Sequence, residues 1–443
     1  MLKRELGLLD VFMITTGSMI AAGLFVLPGV AFSRAGPSVI IAYGLAAIIA
    51  LPTLLSAAEL STAMPKAGGI YYFVSRSIGY KAGSIAGFSR WFAVALKSAY
   101  ALLGIGIYSA AFTDYNPKVI AAVACIIFVV INLLGVRIVG FAQIIFTTLL
   151  IGLIGVFVVS SMPLINFDHF TPFYSTGLMS VLSTAGFIFI SYGGLLVITG
   201  LAEEVKRPRR NIPLGMIIGL LVTGLIYTSV VFVAVGVIEA DALSQTLTPV
   251  ADIAGAALGQ TGFIIASIAA FLAFITTANA GIAAASRYPL AMSRDGLLPS
   301  FMGDSFLKND LPSTSIIITG VLIILAIICL PLETLVEIAS ALLIISYALA
   351  ILAQLILRKK KEKDYRPTFW APFFPWLQYI SIAGLLVLLV QIGLKPLLWS
   401  LAFFGLVCIF PLVRAKYLGD NSIPLPPEPK NTKQGKRSKI FDN

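Results

Sequence analysis

Gly17-Ser18-Met19-Ile20-Ala21-Ala22-Gly23-Leu24-Phe25 lies in the middle of an apolar stretch, residues 8–32, long enough to cross a bilayer. Its small residues and two glycines fall near mid-membrane depth, where a helix has no water to take up backbone groups it releases. Backbone at that depth satisfies its own hydrogen bonds, so a helix is interrupted there only where the freed amides and carbonyls line a site. A second such stretch, Ser191-Tyr192-Gly193-Gly194, lies within residues 178–203. Glycine pairs also serve close packing of helices, so each stretch alone has two readings. Their order bears on the choice: they fall in the first and sixth apolar segments. An offset of five is what a five-plus-five inverted repeat produces, with its two broken helices meeting at a central site. There, amides at a half-helix start suit a carboxylate and carbonyls at a half-helix end suit an ammonium, the two poles of an α-amino acid.

The rest of the chain is consistent with a membrane setting. Of 443 residues, 58% are hydrophobic and 12% charged, and the mean hydropathy of +0.97 is too high for soluble cores to hide. A spanning helix needs about 20 apolar residues. Windows of that kind predict twelve spans, at residues 8–32, 37–62, 82–112, 118–136, 139–163, 178–203, 213–237, 260–293, 314–331, 333–358, 376–395 and 397–414. The first follows Lys3 and Arg4 as a signal peptide would, but its length and the lack of a cleavage site make it a mature span. The expected organisation is one transporter domain, 1–414, with repeats at about 8–163 and 178–358 and two extra helices in 376–414. A basic tail, 415–443, follows, with the composition of a disordered cytoplasmic segment able to touch anionic lipid.

The net charge of +11 does not indicate nucleic acid, because the basic residues sit between spans. With twelve spans, 26 of the 31 Lys and Arg fall on the side of the termini, which puts both termini in the cytoplasm of a multi-pass cell-membrane protein. Cys125, Cys329 and Cys408 lie inside predicted spans without metal-like spacing. His169 is the lone histidine, in a loop beside Asp168. One histidine and no nucleophile motif argue against an enzyme.

Four stretches resemble the amino acid-polyamine-organocation permeases, which have the leucine-transporter fold. They are Glu5-Leu6-Gly7 with Gly17–Phe25; Ala58-Glu59-Leu60 with Pro65, Gly68, Gly69 and Tyr71; Phe189 through Ala202-Glu203-Glu204-Val205-Lys206 to Pro208, Asn211 and Pro213; and Ser286-Arg287 through Ala291-Met292-Ser293-Arg294-Asp295-Gly296-Leu297-Leu298-Pro299. They cover about the first 300 residues in family order. The resemblance implies a secondary transporter with substrate held between the unwound parts of segments one and six. It places the carboxylate at amides around Ala21, Ala22 and Gly23, and the amino group at carbonyls near Phe189, Ile190 and Tyr192, with Ser191 and Gly193 alongside. Tyr192 matches an aromatic cap over the substrate, or else packs in the core. The chain departs from the family where Ala21-Ala22-Gly23 replaces a Gly-Ser/Thr-Gly step. It also has Leu150 where many proton-coupled relatives carry a lysine, which excludes proton coupling through that lysine. Thr276 and Thr277 resemble the hydroxyl pair that completes a sodium site with first-span carbonyls, here near Ile20. Oxygen ligands suit a hard cation, although threonines also back-bond to their own helix. No other cofactor is implied.

A charge at the bilayer centre costs a few kcal/mol, so each one asks for a reason. Lys97, midway along the third span, has three readings: a partner for a substrate carboxylate, an internal cation in place of a bound ion, or a snorkelling side chain. Arg90 is expected nearer the cytoplasm, as an interfacial anchor or a gate contact rather than a ligand-binding group. Glu59, Glu203 and Glu204 are expected near cytoplasmic helix ends, beside basic residues such as Arg287, Arg294 and the 206–210 cluster, where ion pairs would latch an inner gate or the charges are simply solvated at the interface. The predicted lining contains no acidic residue, so the expected cargo is a neutral amino acid. An inorganic ion or another small solute on the same fold is the rival reading.

Overall fold

The computed structural model describes residues 6–20, 22–64, 68–134, 141–303, 312–360, 365–393, 396 and 398–400. The twelfth expected span and the basic tail lie outside the described residues apart from 398–400. No β-strand occurs among the described residues, where extended backbone pairs at one point, the parallel bridge of Leu6 with Val205.

The first apolar segment is three pieces: α1 (Leu8–Met19), α2 (Ala22–Phe25) and α3 (Leu27–Ala35). α1 stops because Ile20 turns to extended backbone, φ −69° and ψ 100°, while its N–H still closes on the Thr16 carbonyl. Next come α4 (Val39–Ala63), the short α5 (Gly69–Ser77), α6 (Tyr80–Ser109), α7 (Pro117–Leu133) and α8 (Phe141–Ser161). Pro117 starts α7 where no N–H is needed, and the Asn116 side chain accepts from the Lys118 N–H as its cap. The sixth segment begins as α9 (Leu178–Phe187) and then tightens into 3₁₀ turns over Ile188–Gly194 and Val197–Glu204, the kind of irregular helix that marks a functional break.

The remaining helices are α10 (Pro208–Val237), the short α11 (Ala240–Gln245), α12 (Pro249–Ala285), α13 (Arg287–Arg294), α14 (Ser313–Cys329), α15 (Leu332–Lys360) and α16 (Trp376–Gln391). Eleven of the expected spans thus fall on helices, with one substantial difference. The segment expected at 260–293 begins at Pro249, is reset inside α12 by Gly259 at φ 65°, and ends at Ala285 before the separate α13. A positive φ is cheap only for glycine, so Gly259 can sit at this kink without strain.

Seven helical stretches among the described residues are long and apolar enough to cross a membrane; α1, α7, α14 and α16 are apolar but shorter. Large apolar side chains on the outward faces remain uncovered, including Val119, Val123, Ile126 and Val130 on α7 and Ile317, Val321, Leu325 and Ile328 on α14. Spaced at three to four residues, they form helical stripes suited to lipid. Inside, α1 and α4 pack on α10, while α6 packs on α7, α12 and α15. The breaks of the first and sixth segments lie between these two groups.

Candidate substrate site between the two broken helices

Interrupting α1 frees carbonyls that its helix no longer pairs, and side chains from neighbouring helices take them up. Lys97 Nζ donates to the Ser18 carbonyl at 2.8 Å and the Tyr227 hydroxyl to that of Met19 at 2.7 Å. The Tyr43 hydroxyl donates to Gly23 O at 3.1 Å and that of Tyr108 to Phe25 O at 2.9 Å. At the second break, the Tyr347 hydroxyl donates to Tyr192 O at 3.2 Å, and Arg90 Nη2 to Gly193 O at 3.2 Å. Ser340 bridges the start of that break: its hydroxyl donates to Phe187 O and accepts from the Ile190 N–H. Each bond satisfies a buried polar group that would otherwise be costly.

The two breaks touch through glycine. A Cβ on Gly194 would lie 2.1 Å from Ser18 O, and one on Gly23 would lie 2.3 Å from Ser191 Oγ. Between them is a narrow gap lined by Gly23, Lys97, Tyr100, Ala101, Ile190, Ser191 and Thr277. It has no room for a water-sized sphere in this conformation. Ser191 Oγ and Thr277 Oγ1, both buried, have no hydrogen-bond partner. They are two of sixteen buried side-chain atoms without a partner among the described residues, Thr15, Thr16 and Thr53 being others, and what distinguishes these two is that they line one space with Lys97.

Of the residues expected here, Gly23, Lys97, Ile190 and Ser191 line the space, and Gly193 sits against Lys97, whose Cδ and Nζ lie 3.4 and 3.7 Å from where a Cβ would be. Ala21 and the side chain of Ala22 lie outside the described residues. Phe189 is fully buried, edge-on to Tyr347. Tyr192 points away: its hydroxyl donates to Tyr43 O at 3.0 Å and its ring stands at 85° to that of Tyr227. Tyr100 is a lining residue that sequence reasoning missed. Its signal was its place three residues after Lys97 on one helix face. Arg90 is 2% exposed and held on Gly193 O, a carbonyl of the second break.

Thr276 and Thr277 face different spaces. Thr277 belongs to the central space, whereas Thr276 lines a separate, mostly apolar crevice of about 360 Å³ with Gly17, Ile20, Thr147 and Leu150. Thr276 also donates back to the Leu272 and Ala273 carbonyls, which leaves its oxygen lone pairs for any cation.

Two ionic clusters tie the helix groups at opposite ends of α15. At its start, Glu333 and Glu337 each bind Arg34 at 2.8 Å, and the Arg34 guanidinium lies 3.8 Å over the Phe187 ring. Toward its other end, the fully buried Glu59 accepts from Gln354 Nε2 (2.6 Å), Arg358 Nε (2.6 Å) and Nη2, the Tyr365 hydroxyl (2.6 Å) and the Ala371 N–H (2.7 Å). Trp370 and Phe374 flank the Arg358 guanidinium. Glu59 is thus an ion-pair residue as expected, with Arg358 rather than Arg287 as its partner; Arg287 is exposed and pairs with no acid among the described residues. Glu204 contributes its carbonyl to the Leu6 N–H, and the Glu203 side chain lies outside the described residues. At the Glu59 end the Tyr71 hydroxyl donates to Asp295 at 2.6 Å, and burial and this carboxylate push its phenol far above the ordinary value. Burial and Glu59 do the same to Tyr365.

Many apolar helices around a polar centre made of two interrupted helices define a multi-pass membrane transporter. The amino acid permease family matches residues 6–424, and the chain belongs to that family, within the amino acid-polyamine-organocation superfamily. It is 28% identical to the branched-chain amino acid permease BcaP of Bacillus subtilis (strain 168), over 92% of this chain and 93% of that protein. It is 27% identical to the methylthioribose transporter of the same organism, over 95% of each. It is also 27% identical to the cationic amino acid transporter 3, mitochondrial, of Arabidopsis thaliana, over 80% of this chain and 62% of that protein. The family and these relatives are permeases and transporters, and the chain is a transporter rather than an enzyme.

Proposed function

We propose that this protein carries a small neutral amino acid across the cell membrane by alternating access around the two broken helices. The observation that carries this reading is the convergence of Ser191 Oγ and Thr277 Oγ1, both unpartnered, with Lys97 Nζ on the space between the breaks. Hydrogen-bonding groups of this kind orient a zwitterion, with the carboxylate at the amides around Ala21, Ala22 and Gly23 and the amino group at the carbonyls of Phe189 and Ile190. The absence of a carboxylate from the lining favours a neutral side chain. Relatives named for branched-chain amino acids, cationic amino acids and methylthioribose leave the substrate to be read from this lining.

We further propose twelve spans in a five-plus-five inverted repeat followed by two helices, with both termini in the cytoplasm. The Arg34 cluster is then an outer latch and the Glu59 cluster an inner one. Both are closed here, as in an occluded state, and transport opens them in turn. Sodium is the proposed coupling ion, supported by Thr276 and Ile20 sharing one crevice. Uptake of labelled neutral amino acids into proteoliposomes, with and without an inward sodium gradient, tests the assignment. Sodium-dependent accumulation supports it; uptake indifferent to sodium removes the coupling ion; and flux of an inorganic ion or methylthioribose without amino acids replaces the substrate class.

A further inference from the structure

The segment joining α15 to α16, residues 365–375, is a strap with two sides. Its inner side holds α4: the Tyr365 hydroxyl and the Ala371 N–H donate to Glu59, and the Phe369 N–H donates to Thr62 Oγ1. It also grips the end of α15, where Arg358 Nη2 donates to the Ala371 carbonyl at 3.1 Å and the guanidinium is flanked by the Trp370 and Phe374 rings. Its outer side presents large aromatic side chains with little protein cover: Trp370 is 57% exposed, Phe373 80%, and Trp376, which opens α16, 71%. Phe373 takes a left-handed backbone, φ 53°, that phenylalanine rarely adopts. Lys359, Lys360 and Arg366 are exposed on the same segment. Lys359 joins the rings directly, its Nζ donating to the Tyr379 hydroxyl at 2.8 Å while the Tyr379 ring stands edge-on to that of Trp376.

We propose that this strap is a docking surface for anionic lipid headgroups of the cytoplasmic leaflet, and that lipid seated on it holds the Glu59 latch closed. The proposal rests on the inner-latch reading above and adds what regulates the latch. Indole rings favour the membrane interface, and basic side chains beside it favour anionic headgroups. Charge decides among the occupants. The chain's own tail carries Lys430, Lys433, Lys436, Arg437 and Lys439, the same sign as the strap. A second copy docked by the same face would set Lys359 and Lys360 against themselves. Anionic lipid meets both the rings and the charges. Drawing α4 away from α15 either breaks the strap's bonds to Glu59 and Thr62 or lifts its rings from the interface. Lipid that binds the seated strap and not the lifted one therefore shifts the latch toward its closed state.

The full-length protein in nanodiscs of phosphatidylcholine, with and without phosphatidylglycerol, tests both halves. In a W399F background, brominated phosphatidylglycerol should quench the emission of Trp370 and Trp376 more than brominated phosphatidylcholine at equal mole fraction. K359Q/K360Q, at two exposed positions, should remove that preference, a loss of about 25-fold in lipid selectivity at about fivefold for each charge near an anionic surface. The latch is read by labelling S56C, three residues before Glu59 and fully buried, in a background without the native cysteines. Labelling should be about fivefold slower with phosphatidylglycerol, and K359Q/K360Q should abolish the difference. Equal quenching by the two lipids, or rings shielded from both as beneath a protein partner, overturns the proposal, as does labelling indifferent to phosphatidylglycerol. E59Q keeps the two readings apart, because it should speed S56C labelling in either membrane. A rate unchanged by E59Q brings down the latch reading, and the proposal with it; a rate raised by E59Q yet indifferent to lipid sinks the proposal alone.

Discussion

Replacing Gly194 with alanine probes how closely the two broken helices must meet. The added Cβ would lie 2.1 Å from Ser18 O, 2.2 Å from Ser18 C and 2.6 Å from Met19 N, all backbone atoms that no rotamer change can clear. Ordinary contact begins at 3.4 Å, so the halves must part by about 1.3 Å. That movement draws Ser18 O away from Lys97 Nζ, now at 2.8 Å, and Met19 O away from the Tyr227 hydroxyl, now at 2.7 Å. Overpacking of this sort costs about 1–3 kcal/mol in stability, and misplacing a site by about 1 Å costs on the order of 100-fold in rate. Initial-rate amino acid uptake and thermal unfolding of the purified protein read the two effects. G200A, in the same interrupted segment but with nothing within 4 Å of the new methyl, is the control. Uptake by G194A within threefold of the control would refute the close-contact reasoning.

Other consequences follow from the latches and the lining. E59Q should destabilise the protein by about 3 kcal/mol, because it leaves Arg358 buried without its countercharge, and E59Q/R358Q should recover part of that loss; thermal unfolding compares the two. The Arg34 pairs are partly exposed, with Glu333 at 61%, so R34A should cost under about 1 kcal/mol while raising reagent access to a cysteine placed at Tyr100 from that end. The raised phenols of Tyr71 and Tyr365 hold their protons in the folded state after an unfolded chain has released them. Their stabilisation is therefore complete below the ordinary tyrosine value of about 10 and declines as pH rises past it. Y71F/Y365F should lose less stability than the wild type between about pH 9 and pH 11. S191A and T277A should each raise KM about fivefold, the equivalent of one hydrogen bond of about 1 kcal/mol.

Hydropathy made the spans legible because lipid imposes one length on each, and glycine placement located both breaks. Lys97 stood out as a charge in an apolar helix. Its acceptor, Ser18 O, did not, because that contact depends on how closely α6 approaches the break. Tyr43, Tyr108, Tyr227 and Tyr347 carry no sequence signal, yet each spends its hydroxyl on a carbonyl of one of the interrupted segments. Glu59 is legible as an ion-pair residue, but its partner is 299 residues away, and the basic residues expected at helix ends point to the 206–210 cluster, Arg294 and Arg287 instead. The threonine pair reads in sequence as one site; adjacent residues on a helix point about 100° apart, and the structure sends them to two spaces.

The most direct test of the central claim is initial-rate uptake of labelled neutral amino acids by the wild type and the S191A/T277A double variant, reconstituted side by side. The account predicts saturable uptake by the wild type and a KM raised on the order of 20-fold in the double variant, two lost hydrogen bonds together. Saturable uptake with the same KM in both proteins would show that substrate does not bind between the broken helices.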